Sequence, residues 1–441
     1  MSKNKEPQVK GASSKKQRSY WQQQELRQRI IGFIGVAVVA VVVIILASGW
    51  FVGRYLPIDR NMRTTVMEVS GQKYNMAYFV NALTYATDDQ YLQYGYAEYF
   101  IDDTAQLIEK AAIINTASAK LGISVTDDDV NQYLKEMNDY VKWLIELGYD
   151  YFRPIQNNAA VRDILRSELL EQRLKDDYFG TNIPTTAEYR DVVAMFLESQ
   201  SQLDEVRARL AMGEDFDDLA KEYSLDSITK DDSGVLGSHP MGVFDYKLKT
   251  SGMDDAIFRQ SVNSLGVYYD KDFSKKIGYW LVKITERDED NDKVRVSGML
   301  LSNEDDAKEI KARLDRGEDF TALAEQYSQC WSDEDKDDFG WLKLSSINAA
   351  YSSYVSDEDI AIGKVSDPIK DTAQSTDGGY WLFKVVASTP GEDVTVEDRT
   401  TLISKAFDEW LDEQKADTQA YPVINYLDDE MRKFAASRAG K

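Results

Sequence analysis

The chain has 441 residues, with 52 Lys and Arg against 76 Asp and Glu, for a formal net charge of −24. That length predicts two to four domains rather than one core, and so acidic a body repels nucleic acid, which is excluded as a partner. With a single cysteine, Cys330, and a single histidine, His239, the chain can form neither an internal disulfide nor a Cys/His zinc site, and neither metal nor cofactor is expected.

The charge is unevenly placed. Residues 1–29 hold eight Lys and Arg against two Glu, a basic tail of +6, and the remainder carries −30. Between them residues 30–52, IIGFIGVAVVAVVVIILASGWFV, contain no charged side chain. As a helix this run spans about 34 Å, enough to cross a hydrocarbon core of roughly 30 Å. Trp50, Phe51 and Tyr55 sit at its far end, where an aromatic belt belongs. The basic flank predicts a cytoplasmic N-terminus and an exported acidic body. A cleaved signal peptide, with Ala47-Ser48-Gly49 as processing site, is the alternative; the apolar run exceeds the usual h-region of roughly 7–15 residues, which favours an uncleaved anchor. No Asn-x-Ser/Thr sequon occurs, in keeping with a bacterial exported protein. The expected location is the bacterial cell membrane, single-pass, with the lipid bilayer as partner through residues 30–52.

Residues 66–74 read as a short strand and tight turn. Helical periodicity follows: Leu107, Ile108, Ala111, Ala112, Ile114, Ala117 and Leu121 form a stripe ending at Gly122. Thr126 reads as the N-cap of the next helix, with Asp127, Asp128 and Asp129 in its first turn. A third helix covers about residues 159–178, and Pro184 marks a break, so residues 60–184 form a helical domain. Tyr78, Phe79, Tyr85, Tyr91, Tyr94, Tyr96, Tyr99 and Phe100 cluster within it; most are expected in cores or on helix faces, and some are available to line a groove for clients.

A twenty-residue block then occurs twice, 104 positions apart. Residues 205–224 read EVRARLAMGEDFDDLAKEYS and residues 309–328 read EIKARLDRGEDFTALAEQYS, identical at twelve positions. Each copy later closes on the same word, Gly278-Tyr279-Trp280-Leu281 and Gly379-Tyr380-Trp381-Leu382. Each repeat reads strand, helix, loop, short helix, strand, with residues 278–285 closing the first and 379–387 closing the second. The acidic run at 288–292 lacks an EF-hand's Gly and Glu, since Lys293 and Met299 hold those places, and it reads as a linker. A last helical stretch covers residues 392–436.

The repeat resembles the parvulin (PpiC, or rotamase) family of peptidyl-prolyl isomerases. The resemblance rests on the helix ending G-E-D-F-x-x-L-A-x-x-Y-S and on Gly234-Val235-Leu236-Gly237, matched by Asp338-Phe339-Gly340-Trp341. The Gly-Tyr-x-hydrophobic-hydrophobic-Lys strand and Val365-Ser366-Asp367-Pro368-Ile369 complete it. It implies an α+β fold with two domains, residues 185–287 and 293–388, each a four-stranded antiparallel sheet wrapped by helices. Residues 66–79 and 107–134, with AKLGISVT at 119–126, resemble the helical chaperone domain of exported foldases of the SurA and PrsA type. There the C-terminal segment, here 392–436, packs on that module.

The parvulin pattern frames its proline pocket with two histidines beside a Cys or Asp. The resemblance carries the Cys/Asp position to Asp226 and Cys330, the candidate catalytic residues. The histidine positions fall on Ala194 and Gly298 in the first strands, and on Trp280 and Trp381 in the closing strands. An imidazole is therefore missing from all four. Met253 and Phe258 resemble the family's apolar proline pocket, so Met253, Phe258, Trp280, Trp381, Ala194 and Gly298 are candidate peptide-binding residues. The same residues could instead fill a closed core. Met195 and Met299, one step along their strands, are expected to face the other way. The implied function is a folding factor that binds unfolded or newly exported polypeptides, with the export machinery as a further partner and with weak or lost isomerase activity. An active isomerase with a variant pocket and a non-catalytic envelope scaffold are the alternatives.

Overall fold

The computed structural model describes residues 57–440, apart from residues 88, 150, 289–290 and 331–336. The basic tail and the span at 30–52 lie outside the described residues. Among the described residues no helix is long and apolar enough to cross a membrane.

After a short helix, Pro57–Arg63, comes a hairpin of β1 (Thr65–Val69) and β2 (Gln72–Asn75). Its turn, Ser70-Gly71, has positive φ at both residues, 53° and 81°, the conformation a two-residue antiparallel turn requires. Four long helices follow: α1 (Met76–Ala86), α2 (Ile101–Ala117), α3 (Asp127–Glu146) and α4 (Ala159–Arg173). Asn75 Oδ1 caps α1 by accepting from the Tyr78 N–H at 2.9 Å. Thr126 caps α3 in a reciprocal box: its hydroxyl accepts from Asp129 N at 3.2 Å, and Asp129 Oδ2 accepts from Thr126 N at 2.8 Å. The stripe expected on α2 is the buried one, with Ile108, Ala111, Ile114 and Ala117 all in the core.

The repeats supply β3 (Thr186–Leu197), α5 (Gln200–Ala211), α6 (Phe216–Tyr223), β4 (Val235–Pro240), α7 (Met253–Arg259), β5 (Leu265–Lys275) and β6 (Gly278–Asp288). Then come β7 (Lys293–Leu301), α8 (Glu304–Asp315), α9 (Phe320–Tyr327), β8 (Asp338–Lys343), β9 (Ile369–Asp371) and β10 (Thr376–Asp393). The chain ends with α10 (Val396–Ala416), β11 (Val423–Asn425) and α11 (Asp429–Arg438). The expected helical stretch at 392–436 is thus interrupted. Pro422, without an N–H, cannot continue a helix, and the next residues pair as a strand.

The chain divides into two compact units, residues up to Arg173 with Leu411 onward, and Leu174–Trp410. In the first unit β11 pairs antiparallel with β1, placing Val423 opposite Val69. Lys120 Nζ donates to the buried Tyr421 hydroxyl at 2.7 Å, and Arg432 meets Asp102 at 2.7 Å. The segment from Leu411 onward therefore belongs to the helical unit, whereas residues 392–410 of the expected C-terminal stretch belong to the second unit.

The second unit holds two four-stranded antiparallel sheets, in the orders β4-β3-β10-β5 and β8-β7-β6-β9. Here the closing strands differ from the sequence reading. β10 lies between β3 and β5, with Lys384 opposite Val193 and Leu265. β6 lies between β7 and β9, with Lys283 opposite Ser297 and Trp280 opposite Ile369. The two strands have changed places. They begin with the same Gly-Tyr-Trp-Leu word, so each presents the other's faces and register to its new neighbours. β6 also continues directly into a hairpin with β7, Asp288 opposite Lys293, a local pairing with little loop to close.

The crossing is tied by buried polar groups. Lys275, only 2 % exposed, donates to Ser302 Oγ at 3.0 Å and to the Gly378 carbonyl. The Tyr279 hydroxyl donates to buried Glu198 at 3.0 Å. Burial pushes Lys275 down to about 8, against the pull of Glu198, Asp377 and Asp306. Below pH 8 both folded and unfolded chains hold this proton. Between about pH 8 and pH 10.5 the unfolded chain binds it more tightly, so stability rises with pH. A gain on the order of 3 kcal/mol follows from a shift of this size. Buried tyrosines such as Tyr78 and Tyr85, whose hydroxyls are pushed up, act in the opposite sense once pH passes their ordinary value near 10. Urea denaturation from pH 7.5 to 9.5 is expected to show the rise in the natural chain and none in Lys275→Met; equal slopes would refute it.

His239, on β4, is occupied at both nitrogens. Nδ1 lies 2.7 Å from Asp398 Oδ1 and Nε2 lies 3.0 Å from Lys247 Nζ, while Tyr189 donates to Asp398 Oδ2 at 2.9 Å. The lone imidazole fastens the first turn of α10 to the first sheet.

Candidate functional site

The alternation of β3 and β10 sorts their side chains onto two faces. Ala194, Phe196, Trp381 and Phe383 face one core together with Met253 and Ile257 of α7, and Phe258 packs against it. Met195 and Leu382 face the other side, against α5 and α6, as Met299 does in the second sheet. The structure thus gathers Ala194, Met253, Phe258 and Trp381. Trp280 is not among them, because β6 belongs to the other sheet.

Ala194, Met253 and Trp381 have no exposed surface, so this is a filled core. Phe196 and Phe273 close on the indole, with ring centroids 5.1 and 5.3 Å away. Phe258 alone of the four is half-buried, with the Arg190 guanidinium 5.6 Å from its ring. Asp226, 8 % exposed, caps the short helix Ser227–Asp231: its Oδ2 accepts from the Thr229 N–H at 2.8 Å and the Thr229 hydroxyl at 2.9 Å. Its carboxylate is engaged in local structure.

In the second sheet Trp280 packs edge-on to Phe339 and Tyr351, at 5.7 and 5.4 Å, and Cys330 lies in the same cluster. Gly298 sits beneath them, where a Cβ would fall 2.5 Å from Phe339 Cε2 and 3.1 Å from Val282 Cγ1. Ser328 Oγ accepts from Leu300 N and Cys330 N, each at 3.2 Å, much as Ser224 accepts from Phe196 N at 3.1 Å. The Tyr-Ser ending of the repeated helix therefore pins the following loop to the first strand in both copies.

The two indoles differ in one respect. Trp280 Nε1 donates to Asp371 Oδ2 at 3.0 Å, and both residues are buried. By register Asp270 is the counterpart of Asp371, since Gly379 lies opposite Asp270 as Gly278 lies opposite Asp371. Yet among the described residues neither Trp381 Nε1 nor Asp270 Oδ2 has a partner. Trp280→Phe should therefore be the more damaging change by about 1–2 kcal/mol, because it leaves a buried carboxylate short of a donor. Trp381→Phe removes an N–H that bonds no described residue. Chemical unfolding of the two variants tests this; equal losses would mean that ring volume alone matters.

The described surface opens elsewhere, in the helical unit. A cleft of about 440 Å³ lies between the end of α1, the second half of α3 and residues 152–158, with Tyr85, Met137, Val141, Phe152 and Ile155 in its walls. Residues 152–158 are held by Asn138, whose amide donates to the Ile155 carbonyl at 3.2 Å and whose Oδ1 accepts from Ile155 N at 2.7 Å. Arg153 bonds Asp89 at 2.7 Å and the Gly440 carbonyl at 3.0 Å. Sequence reasoning offered Tyr85 only as one of eight clustered aromatics, some of them available to line a groove, and did not choose among them. The available signal was α3 itself, where Met137, Tyr140, Val141, Leu144 and Leu147 extend the apolar spacing beyond Val130 and Leu134, its only buried residues. The Tyr91, Tyr94, Tyr96 and Tyr99 side chains are exposed, whereas Phe79 is core.

Models of the PPIC-type PPIase domain match residues 183–288 and residues 296–387. Foldase protein PrsA of Geobacillus kaustophilus is 38 % identical over 116 residues, covering 24 % of this chain and 37 % of that protein. Foldase protein PrsA of Exiguobacterium sibiricum is 27 % identical over 179 residues, 37 % of this chain and 57 % of that protein. The chain spans less than two thirds of the length of these relatives. The solved structure of the peptidylprolyl isomerase PrsA from Bacillus anthracis aligns with 74 % of this chain and 91 % of its own, at 12 % identity and a TM-score of 0.28. The two family-model matches cover the two repeats and their duplicated words, and the chain accordingly carries two domains of the PPIC-type, or parvulin, peptidyl-prolyl isomerase family.

Proposed function

We propose that this chain is a membrane-anchored, extracytoplasmic folding factor that holds unfolded exported polypeptides and has little or no prolyl isomerase activity. The observation that carries the reading is the state of the two parvulin cores. Ala194 and Trp381 in one, Gly298 and Trp280 in the other, occupy the positions where the family pattern has histidines, and all four are buried. Rotating a prolyl bond requires a site that favours the twisted amide over the planar one. A side chain with no exposed surface offers a substrate no contact. The likeness to PrsA foldases supports a role in folding after export, and the uncharged run at 30–52 supports anchoring with the N-terminus in the cytoplasm.

The test uses the full chain in detergent. A proline-limited refolding reaction should not accelerate at catalytic amounts of the protein, while aggregation of a reduced client should be suppressed at stoichiometric amounts. Acceleration would establish an isomerase with a variant pocket. Neither effect would leave an envelope scaffold.

A further inference from the structure

We propose that the cleft between α1, the second half of α3 and residues 152–158 seats one large aromatic or aliphatic side chain of a cationic, unfolded polypeptide. This rests on the holding function proposed above and names its site and the chemistry of its client.

Three features of the cleft point to a ligand. Its volume, about 440 Å³, lies within the range of small-ligand sites and comfortably takes an indole or phenyl group. Its lining includes a polar atom with nothing to bond: Thr87 is 3 % exposed, and its hydroxyl has no partner among the described residues. A buried hydroxyl without a partner is unfavourable, and a peptide carbonyl or N–H entering the cleft would relieve it. The walls, in turn, are already fixed. Asn138 holds Ile155 and Arg153 bridges Asp89 to Gly440, so little ordering remains to be done on binding.

The same helix α3 that lines the cleft with Met137 and Val141 also carries exposed aromatic side chains. Tyr140 and Trp143 stack at 5.5 Å and are 60 % and 51 % exposed, and Leu147, Tyr149 and Tyr151 are exposed as well. Such faces contact apolar side chains and also attract ammonium and guanidinium groups through the ring quadrupole. Charge selects among occupants. A second copy of a chain at −24 would be repelled, whereas a Lys- and Arg-bearing segment is drawn to the −30 body. The occupant is therefore a cationic unfolded segment with an aromatic or large aliphatic anchor.

The experiment measures fluorescence anisotropy of two labelled 15-residue disordered peptides against the full chain in detergent. Both contain two Phe; one carries five Lys and the other five Glu at the same places. The Lys peptide should bind at least tenfold more tightly than the Glu peptide. Val141→Trp, which fills the cleft, and the double variant Tyr140→Ala/Trp143→Ala, which strips exposed rings, should each weaken it at least tenfold. The double variant guards against misfolding of the first, because its side chains are largely outside the core. Aggregation suppression is measured alongside. Full suppression with peptide binding unchanged in both variants overturns the site and leaves the holding function standing. Peptide binding lost in both variants, without any suppression by the natural chain, supports the site and overturns the holding function. Equal binding of the Lys and Glu peptides overturns the cationic occupant.

Discussion

A disulfide should form readily between cysteines placed at Val193 and Lys384, and not between cysteines at Val193 and Lys283, in a chain whose Cys330 is replaced by serine. In the sequence, Lys283 and Lys384 are equivalent, each the sixth residue of a Gly-Tyr-Trp-Leu-x-Lys word. In the fold only Lys384 lies opposite Val193, whereas Lys283 lies opposite Ser297 in the other sheet. Directly opposed residues in an antiparallel pair have Cβ atoms about 4.5–5.5 Å apart, near the reach of a disulfide, while residues of separate sheets are beyond it. Non-reducing electrophoresis with peptide mapping reads the outcome, which is nearly all-or-none. Efficient closure of the 193–283 pair would place β6 in the first sheet and remove the exchange. With the strands exchanged, the two domains are interlocked: β10 must cross back to a sheet begun nearly two hundred residues earlier. They should then unfold in one transition, and separating them at residue 290 would leave each half carrying the closing strand that the other half's sheet needs.

Returning a histidine to Gly298 is expected to destabilise the second unit by about 3 kcal/mol or more without restoring isomerisation. Even a methyl group there meets Phe339 at 2.5 Å and Val282 at 3.1 Å, so an imidazole must displace a packed ring and bury its nitrogens without partners. Ala194→His faces the same obstacle in a core where Ala194 and Trp381 have no exposed surface. Thermal unfolding should show a fall in Tm of roughly 10 °C for a domain of this size. A Gly298→His chain that kept its stability and accelerated proline-limited refolding would show that the pocket is open after all.

Much of the local structure was legible because its causes are local. The Thr126 capping box, the turn at Ser70-Gly71 and the alternation that sends Met195 and Met299 away from the tryptophans all follow from neighbouring residues. The missing histidines were equally legible, being a matter of identity at aligned positions. Asp226 was legible as a position and not as a role, since the Thr229 bonds that occupy its carboxylate depend on how the following turn is wound. The helical cleft was nearly invisible: α3 shows a continuous apolar spacing, and no count of residues says where its packing partner ends.

The amino-acid sequence by itself determined that this chain has a charge-free run able to span a bilayer, a helical module and two parvulin domains without a histidine at the family's positions. Each of these is a property of composition, period or residue identity. Only the tertiary structure decided which closing strand belongs to which sheet, because two strands with one shared word satisfy either pairing and the choice lies in long-range contacts. It likewise decided that the candidate pocket residues are enclosed while the second half of α3 is not, since burial depends on what the rest of the chain brings to cover a face.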